Sequence, residues 1–413
     1  MLENRMIIRA GVKRNKGSLL GIGILLLLTA LSLTAVLVTV LAGNSYIRDE
    51  MERAGFGDLT VWVSDVPDIE FLMESIREQE GVEAAEAQKL IFSEYKANGV
   101  ESDSQGQMIP WMLSGSRYRF FQHNLSGYRE APEEIGEQEV YVSPSMKSTM
   151  NLEPGDTITF PIARGGKTIS LTVAGYYEDP FMGSSMIGMK GFLIAEKTYE
   201  EICSVIEETG MDALAGDGLM IHIQAEDGIT VSEINRILVE NTSLSMYTEF
   251  IHSADTMAGF MGILQNAFSA ILAAFALALF GVAMGVMGHS ISGLVEQEWK
   301  NLGILKTMGY TGGRLTGLLT IQYGAAMGGG VILGMLLAVP AAGLISRMTV
   351  TTTGVLIPVN FPVLPCMGGI CYSPAGSHEF LHPAPSEYQE DCSYSCYPWG
   401  IGYRICVRNE IFP

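Results

Sequence analysis

Charged residues are scarce in this chain. Only 17% of its 413 residues are Asp, Glu, Lys or Arg, whereas soluble proteins carry about a quarter. With 48% hydrophobic residues as well, this composition argues against a wholly soluble protein. Basic residues are especially few, since 25 Lys and Arg face 45 Asp and Glu and leave a net charge of −20. Such a charge repels phosphate backbones, so no nucleic-acid partner is expected.

Recognisable catalytic motifs are also missing. The sequence has no Gly-x-Ser-x-Gly, no His-Glu-x-x-His and no acidic residue inside its long apolar stretches. The segment Gly165-Gly-Lys-Thr168 is similar to a phosphate-binding loop, but Pro161 stands where that motif has its first glycine. His123, His222 and His252 lack metal-ligand spacing and are predicted to be ordinary surface or core residues. The sequence therefore predicts no enzyme activity, no cofactor and no metal site.

Three stretches carry no charge at all. They cover residues 17–43, 256–295 and 315–346, and each exceeds the roughly 20 residues that a helix needs to cross a bilayer. A cleaved signal peptide or a buried core helix would be shorter than the first stretch, which favours a retained anchor. The second is long enough to project beyond one membrane face. The third contains seven glycines, which predict close packing against a neighbouring helix or a second copy, unless they only reflect the frequency of glycine in membrane helices.

Charge on either side of the first stretch predicts the orientation. Five basic residues precede it, at positions 5, 9, 13, 14 and 16, whereas residues 48–255 hold 37 acidic and 14 basic side chains. The N-terminus is therefore expected in the cytoplasm and residues 44–255 outside. The predicted organisation is a cytoplasmic N-terminus (1–16), a first span (17–43), an extracytoplasmic domain (44–255), a second span with a stalk (256–291), a cytoplasmic coupling segment (292–314), a third span (315–346) and an atypical tail (347–413).

The acidic block between the first two stretches has the patterning of a mixed domain. Alternating residues predict strands over 58–63, 138–142 and 168–174, and helical spacing predicts helices over 68–80 and 198–208. Glu153-Pro-Gly-Asp156 predicts a tight turn that opens the strand 157–160. The predicted fold class is an α-helical membrane protein with a large extracytoplasmic α+β domain.

Two segments carry a resemblance to a known family. Leu302-Gly-Ile-Leu-Lys-Thr-Met-Gly309, followed by Gly-rich sequence, resembles the hallmark of the FtsX-like permease family, which includes MacB-type transporter subunits. Glu298, Trp299 and Asn301 depart from that pattern. In the acidic block, Glu139 to Ser143, Leu152 to Phe160 and Leu171 to Tyr177 resemble the strand, turn and strand of the MacB-type periplasmic core domain.

The resemblance implies a multi-pass permease subunit of an ABC transporter in a bacterial cell membrane. A separate ATPase subunit would hydrolyse ATP and move the extracytoplasmic domain, for export or mechanotransmission, and the permease would form a homodimer or a heterodimer with a second permease. The predicted ATPase-binding residues are Glu296, Lys300, Leu302, Gly303, Ile304, Leu305, Lys306, Met308 and Gly309. A short amphipathic segment of this kind could fit a groove on the ATPase, or lie along the lipid surface.

An alternative function belongs to another class of protein. The chain could be a membrane-anchored sensor or scaffold that regulates an external protein, such as a cell-wall hydrolase, without any ATPase.

The tail departs from the family pattern, which has a fourth span there. Five of six Cys and eight of sixteen Pro lie from residue 358 onward. Cys392, Cys396, His378 and His382 could form a zinc knuckle, or the cysteines could form external disulfides. A third hypothesis is a change of reading frame between residues 362 and 367, because the shifted codons allow an apolar run and a closing Ala-Ile-Arg. That reading predicts a fourth span that is absent or disrupted.

Overall fold

The computed structural model describes residues 9, 11–112, 117–307 and 311–358. Two compact units are found: a helical unit of residues 1–38, 270–341 and 360–413, and a mixed unit of residues 39–269 and 342–359. Each is described on its own. The zinc, disulfide and reading-frame hypotheses for the tail concern residues outside the described part of the chain.

The described elements follow the order expected from the patterning. The helices are α1 (Lys16–Arg53), α2 (Ile69–Arg77), α3 (Ser145–Thr149), α4 (Glu196–Thr209), α5 (Val231–Asn241), α6 (Leu244–Tyr247), α7 (Ala254–Thr307) and α8 (Gly312–Thr353). The strands are β1 (Leu59–Ser64), β2 (Val82–Ser93), β3 (Lys96–Ala97), β4 (Val100–Glu101), β5 (Gly106–Pro110), β6 (Arg119–Phe121), β7 (Tyr128–Arg129), β8 (Glu139–Val142), β9 (Thr157–Ala163), β10 (Lys167–Glu178), β11 (Lys190–Ile194), β12 (Gly216–Ala225) and β13 (Thr248–Ser253).

Three of these helices are long and apolar enough to cross a membrane. By length and composition the candidate spans are Lys16–Thr39 in α1, Asn266–Val286 in α7 and Tyr323–Thr353 in α8. In the helical unit, buried residues of the three helices form one cluster that includes Ile22, Ala283 and Tyr323.

Two glycines of α8 explain how closely it packs on α1. A Cβ added at Gly330 would collide with the backbone of Gly23, and one added at Gly334 would lie 2.9 Å from the Cβ of Ala30. Small residues four positions apart therefore let the two backbones touch. This confirms, for two of the seven glycines, the prediction that they serve packing against a neighbouring helix.

The mixed unit is built on a sheet of thirteen strands. Its order is β13-β1-β12-β2-β5-β11-β8-β10-β9-β3-β4, with β6 paired to β10 and β7 paired to β6. The pairs β8–β10 and β5–β11 are parallel, and the other pairs of the sheet are antiparallel. The three strands predicted from alternation correspond to β1, β8 and β10, which confirms them. The strand expected after the Pro-Gly turn, over 157–160, corresponds to β9, and the sequence missed the other strands, several of which are only two residues long.

Local sequence accounts for the two helices that cover β1, β2 and β12. In α2, the Asp68 side chain accepts a hydrogen bond from the Phe71 backbone N–H at 3.0 Å and caps the helix start. Leu72 and Ile76 lie four positions apart and are buried against the sheet, together with Ile234 of α5. The helix predicted over 68–80 is confirmed as α2, and the helix predicted over 198–208 is confirmed as α4.

The predicted tight turn is present, and a second turn joins β9 to β10. Asp156 accepts a hydrogen bond from the Glu153 N–H at 2.9 Å, and the strand β9 follows at once, as the Pro-Gly sequence predicts. Gly165 and Gly166 have φ values of 83° and 89° and form the turn of the β9–β10 hairpin. Because a strand follows them rather than a helix, they do not form a phosphate-binding loop.

Candidate functional site

The predicted coupling segment is the end of a long helix. Glu296, Lys300 and residues 302–306 all lie in α7, which continues to Thr307. Residues 296 to 307 form the last turns of a 54-residue helix, and no proline or glycine interrupts residues 294–302. Ile304 is 58% exposed, whereas Met308 and Gly309 lie outside the described residues. The role of these residues in binding an ATPase stays a prediction.

In the mixed unit, the first residues of α7 are fixed to the sheet. The Ala254 N–H donates to the Asp58 carbonyl oxygen at 3.0 Å. An ion pair of 2.8 Å joins Asp255 to Arg48 near the end of α1. Met257 and Met261, one turn apart, are buried in the core cluster of this unit. The start of α7 is therefore held by both polar and apolar contacts.

A second set of contacts gathers the ends of α1 and α8 on the sheet. We call it the anchor cluster, and it consists of Tyr46, Glu50, Arg119, Tyr128, Glu178 and the backbone of Leu356. Tyr46 and Glu50 lie one turn apart on α1, Arg119 and Tyr128 on the β6–β7 hairpin, and Glu178 at the end of β10. Leu356 follows α8 by three residues. Four separate parts of the mixed unit thus meet at one point.

Glu178 lies at the centre of the anchor cluster and is 1% exposed. Its Oε1 accepts hydrogen bonds from the Tyr128 hydroxyl at 2.6 Å and from the Leu356 N–H at 3.0 Å. The Tyr46 hydroxyl lies 3.3 Å from both carboxyl oxygens and 2.9 Å from the Tyr128 hydroxyl. Donors from three other segments of the chain therefore face this carboxyl.

The second carboxyl of the cluster, on Glu50, is also buried. Arg119 lies 3.2 Å from it and donates to the Tyr46 hydroxyl at 3.1 Å, while Arg53 pairs with it from the next turn of α1. Charge-assisted hydrogen bonds of this kind fix geometry better than neutral ones. The pair holds the end of α1 against the β6–β7 hairpin.

Burial changes the titration of these groups. Loss of water around Glu178 raises the pKa of its carboxyl from 4.5 to about 7, and the charge of Glu50 adds to that rise. The hydrogen bonds from Tyr128 and Leu356 and the charge of Arg119 oppose it. Burial and the Glu178 charge also raise the pKa of both cluster tyrosines. The tyrosines are therefore hydrogen-bond donors throughout the physiological range.

The loop between β10 and β11 holds the end of α8. The Ser185 N–H donates to the Thr352 carbonyl oxygen at 2.8 Å, and the Ser148 hydroxyl of α3 donates to that of Thr351 at 2.6 Å. The loop is organised from inside by Asp179, which accepts from the backbone N–H groups of Phe181 and Met182 at 2.9 Å each. The contacts from Ser185 and Ser148 satisfy the carbonyl groups of Thr352 and Thr351 near the end of α8.

Lys190 stabilises the same loop from the β11 side. Its ammonium group donates to the carbonyl oxygens of Ser184 and Ile187, and the side chain is 3% exposed. Burial lowers the pKa of Lys190 to about 8, although the charge of Asp179 favours the protonated form. Lys190 is therefore a loop-organising cation rather than a surface charge.

One histidine of the sheet is buried with polar partners. His222 is buried between the Thr60 hydroxyl at 3.1 Å and Gln88 at 3.3 Å, and burial lowers its pKa to about 3. It is a satisfied core residue, as predicted. Across residues 11–112, 117–307 and 311–358, no group of three His, Cys, Asp or Glu side chains is placed to hold a metal ion.

The anchor cluster escaped the sequence analysis. Its side chains come from positions 46 to 178, so their spacing carries no motif. One signal was available: Glu178 and Asp179 follow directly on the apolar and aromatic residues 173–177. Charged residues at such a point are buried only where they have polar partners.

Comparison with solved structures gives faint likenesses, of which two are described here. No family model and no curated protein matches the chain. The periplasmic region of MacB from Actinobacillus actinomycetemcomitans aligns at 12% identity and a TM-score of 0.26, over 51% of this chain and 95% of that one. The extracellular domain of the noncanonic ABC-type transporter YknZ from Gram-positive bacteria aligns at 13% identity and a TM-score of 0.24, over 47% and 98%. At such scores neither a family nor a function is established.

Proposed function

We propose that this chain is the permease subunit of an ABC transporter in a bacterial cell membrane. A separate ATPase subunit would bind the end of α7, and its nucleotide-driven motion would move the mixed unit outside the membrane. The observation that carries the proposal is that residues 302–307, from the segment resembling the FtsX-like hallmark, end the same helix whose start is fixed to the sheet.

The physical reason is the stiffness of a continuous helix. At 1.5 Å per residue, α7 is about 80 Å long, which exceeds the roughly 30 Å of bilayer hydrocarbon by a wide margin. A continuous helix that is longer than the bilayer is thick can transmit a displacement applied at one end to a domain attached at the other. Ile304 leaves an apolar side chain exposed near the end where the ATPase would bind.

The proposed arrangement places residues 44–255 outside the cell and the end of α7 inside it. Export and mechanotransmission are both compatible with this arrangement, and so are a homodimer and a heterodimer with a second permease. Glu296, Lys300, residues 302–306, Met308 and Gly309 would line the contact with the ATPase.

The first experiment tests the contact with the ATPase. The full chain carrying Ile304→Asp or Leu305→Asp is purified from membranes after gentle cross-linking, and bound ATPase activity is measured. We expect each charge to reduce copurified ATPase activity at least tenfold, because an apolar contact cannot absorb an unpaired carboxylate. Met211→Asp, at a fully exposed apolar residue of the mixed unit, is the matched control and should leave the activity unchanged.

Topology provides the second test. In a background with the six native cysteines replaced, Lys300→Cys should resist a membrane-impermeant thiol reagent in intact cells, and Met211→Cys should react. Labelling of position 300 from outside would overturn the proposal. Capture of an external protein by the native chain, with no ATPase in the complex, would favour the sensor or scaffold instead.

A further inference from the structure

The anchor cluster contains one carboxyl that receives hydrogen bonds from three segments. Glu178 receives Tyr128 from the β6–β7 hairpin, Tyr46 from α1 and the Leu356 N–H from the segment after α8. The Tyr128 hydroxyl also lies 3.4 Å from the Leu356 carbonyl oxygen. The Leu356 backbone therefore lies against the Glu178–Tyr128 pair, and its N–H is bound to the carboxyl.

We propose that Glu178 is a proton-dependent positioning residue, which holds the end of α1 and the segment after α8 on the sheet when it is protonated and loosens them when it is ionised. The inference concerns the mixed unit alone, so it stands whether or not the chain works with an ATPase. If the proposed function holds as well, external pH would adjust how firmly the moving helices are attached.

The direction of this pH effect follows from the groups around the Glu178 carboxyl. The charged and titratable groups that face Glu178 are Tyr46 and Glu50 of α1, Arg119 of β6 and Tyr128 of β7. Arg119 is already paired with Glu50, so the ionised Glu178 has no cation of its own. A buried carboxylate without a cation costs free energy, and the segment can relieve that cost only by opening to water.

The neutral carboxyl needs no such relief. When protonated, Glu178 can donate to the Tyr46 hydroxyl while its other oxygen still accepts from Tyr128 and Leu356. The closed arrangement thus keeps its hydrogen bonds after it gains a proton, whereas the charge penalty disappears. Release of the end of α1 and of the segment after α8 from the sheet is therefore favoured as pH rises and suppressed as pH falls.

Hydrogen–deuterium exchange of the full chain in detergent tests this inference. Exchange of a peptide that spans residues 354–357 is followed from pH 6 to 8.5 and corrected for the intrinsic rate. With a pKa of about 7 when buried and 4.5 when exposed, protection should fall roughly tenfold across this range. A peptide from β12 in the same sample serves as the internal reference and should not lose protection.

Two variants identify the responsible carboxyl. Glu178→Gln keeps the acceptor oxygen and removes the charge, so protection of residues 354–357 should stay high and independent of pH. Glu101→Gln, at a 60% exposed side chain on β4, should retain the tenfold fall. A pH-independent native protein would overturn the proposal on its own, even if Glu178→Gln failed to fold. A folded Glu178→Gln protein with the segment unprotected at every pH would overturn it too, because it would show that the charged form does the holding.

Discussion

Gly354 ends α8 in a conformation that no other residue adopts without strain. Its φ is +77°, and its N–H donates to the Val350 carbonyl oxygen at 2.8 Å, which is the left-handed cap of a helix C-terminus. A Cβ added there would also collide with the backbone of Gly183, whose Cα would be 2.7 Å away. Gly354→Ala therefore meets two costs, one from its own backbone and one from the loop that holds α8.

Both costs can be assigned a magnitude. A left-handed conformation costs a non-glycine residue about 1–2 kcal/mol, and forcing extra atoms into a packed site adds about 1–3 kcal/mol. Gly155→Ala is the matched control, because Gly155 has a φ of +100° but an added Cβ would have no atom within 4 Å. We expect Gly354→Ala to be destabilised by about 2–5 kcal/mol and Gly155→Ala by about 1–2 kcal/mol.

Thermal unfolding of the full chain in detergent, followed by tryptophan fluorescence, measures the difference. Trp62 is fully buried and lies 5.6 Å, ring to ring, from Phe181 in the same loop as Gly183. At roughly 2–4 °C per kcal/mol for a unit of this size, Gly354→Ala should unfold several degrees below Gly155→Ala. Equal unfolding temperatures would refute the close approach of the α8 end to the loop.

Three further outcomes are expected. The native protein should lose stability as pH falls below 6.5, because burial lowers the pKa of His222 to about 3. His222→Gln should reduce the pH dependence of the free energy of unfolding by about 1.4 kcal/mol per pH unit between pH 6.5 and pH 4. An unchanged slope in denaturant titrations would contradict this. Gln107→Leu should cost about 1–3 kcal/mol in chemical unfolding, since it removes the acceptor 3.0 Å from the Trp62 indole N–H, and the double variant with Trp62→Phe should cost less than the sum. Phe181→Ala should cost about 3–5 kcal/mol in the same assay, while Phe71→Ala, at a side chain 65% exposed, should change stability by less than about 0.5 kcal/mol.

Local patterns predicted the elements whose signals lie in adjacent residues. The Asp68 cap, the spacing of Leu72 and Ile76, and the Pro-Gly turn before β9 each act within a few positions, so they could be recognised without the fold. The three apolar helices were equally evident, because bilayer thickness sets their length. Nothing in residues 294–302 ends a helix, and α7 continues through them to Thr307.

Long-range pairing could not be predicted in the same way. The strands β3, β4 and β7 have only two residues each, too few for alternation to be visible, and they exist because neighbouring strands offer them partners. The glycine pair of the α8 end illustrates the same limit: Gly183 and Gly354 are 171 positions apart, and only the folded chain shows that each leaves room for the other.

The anchor cluster also shows why a polar contact suits its position. An apolar contact between the end of α1 and the sheet would tolerate sliding, because dispersion depends little on register. The Glu178 carboxyl accepts from Tyr128 at 2.6 Å and from Leu356 at 3.0 Å, and a shift of one residue in either segment would leave a buried acceptor unpaired at a cost of about 1–3 kcal/mol. The cluster thus fixes the register of the end of α1 and of the segment after α8, and protonation of Glu178 controls how firmly both are held. A purely apolar contact could do neither.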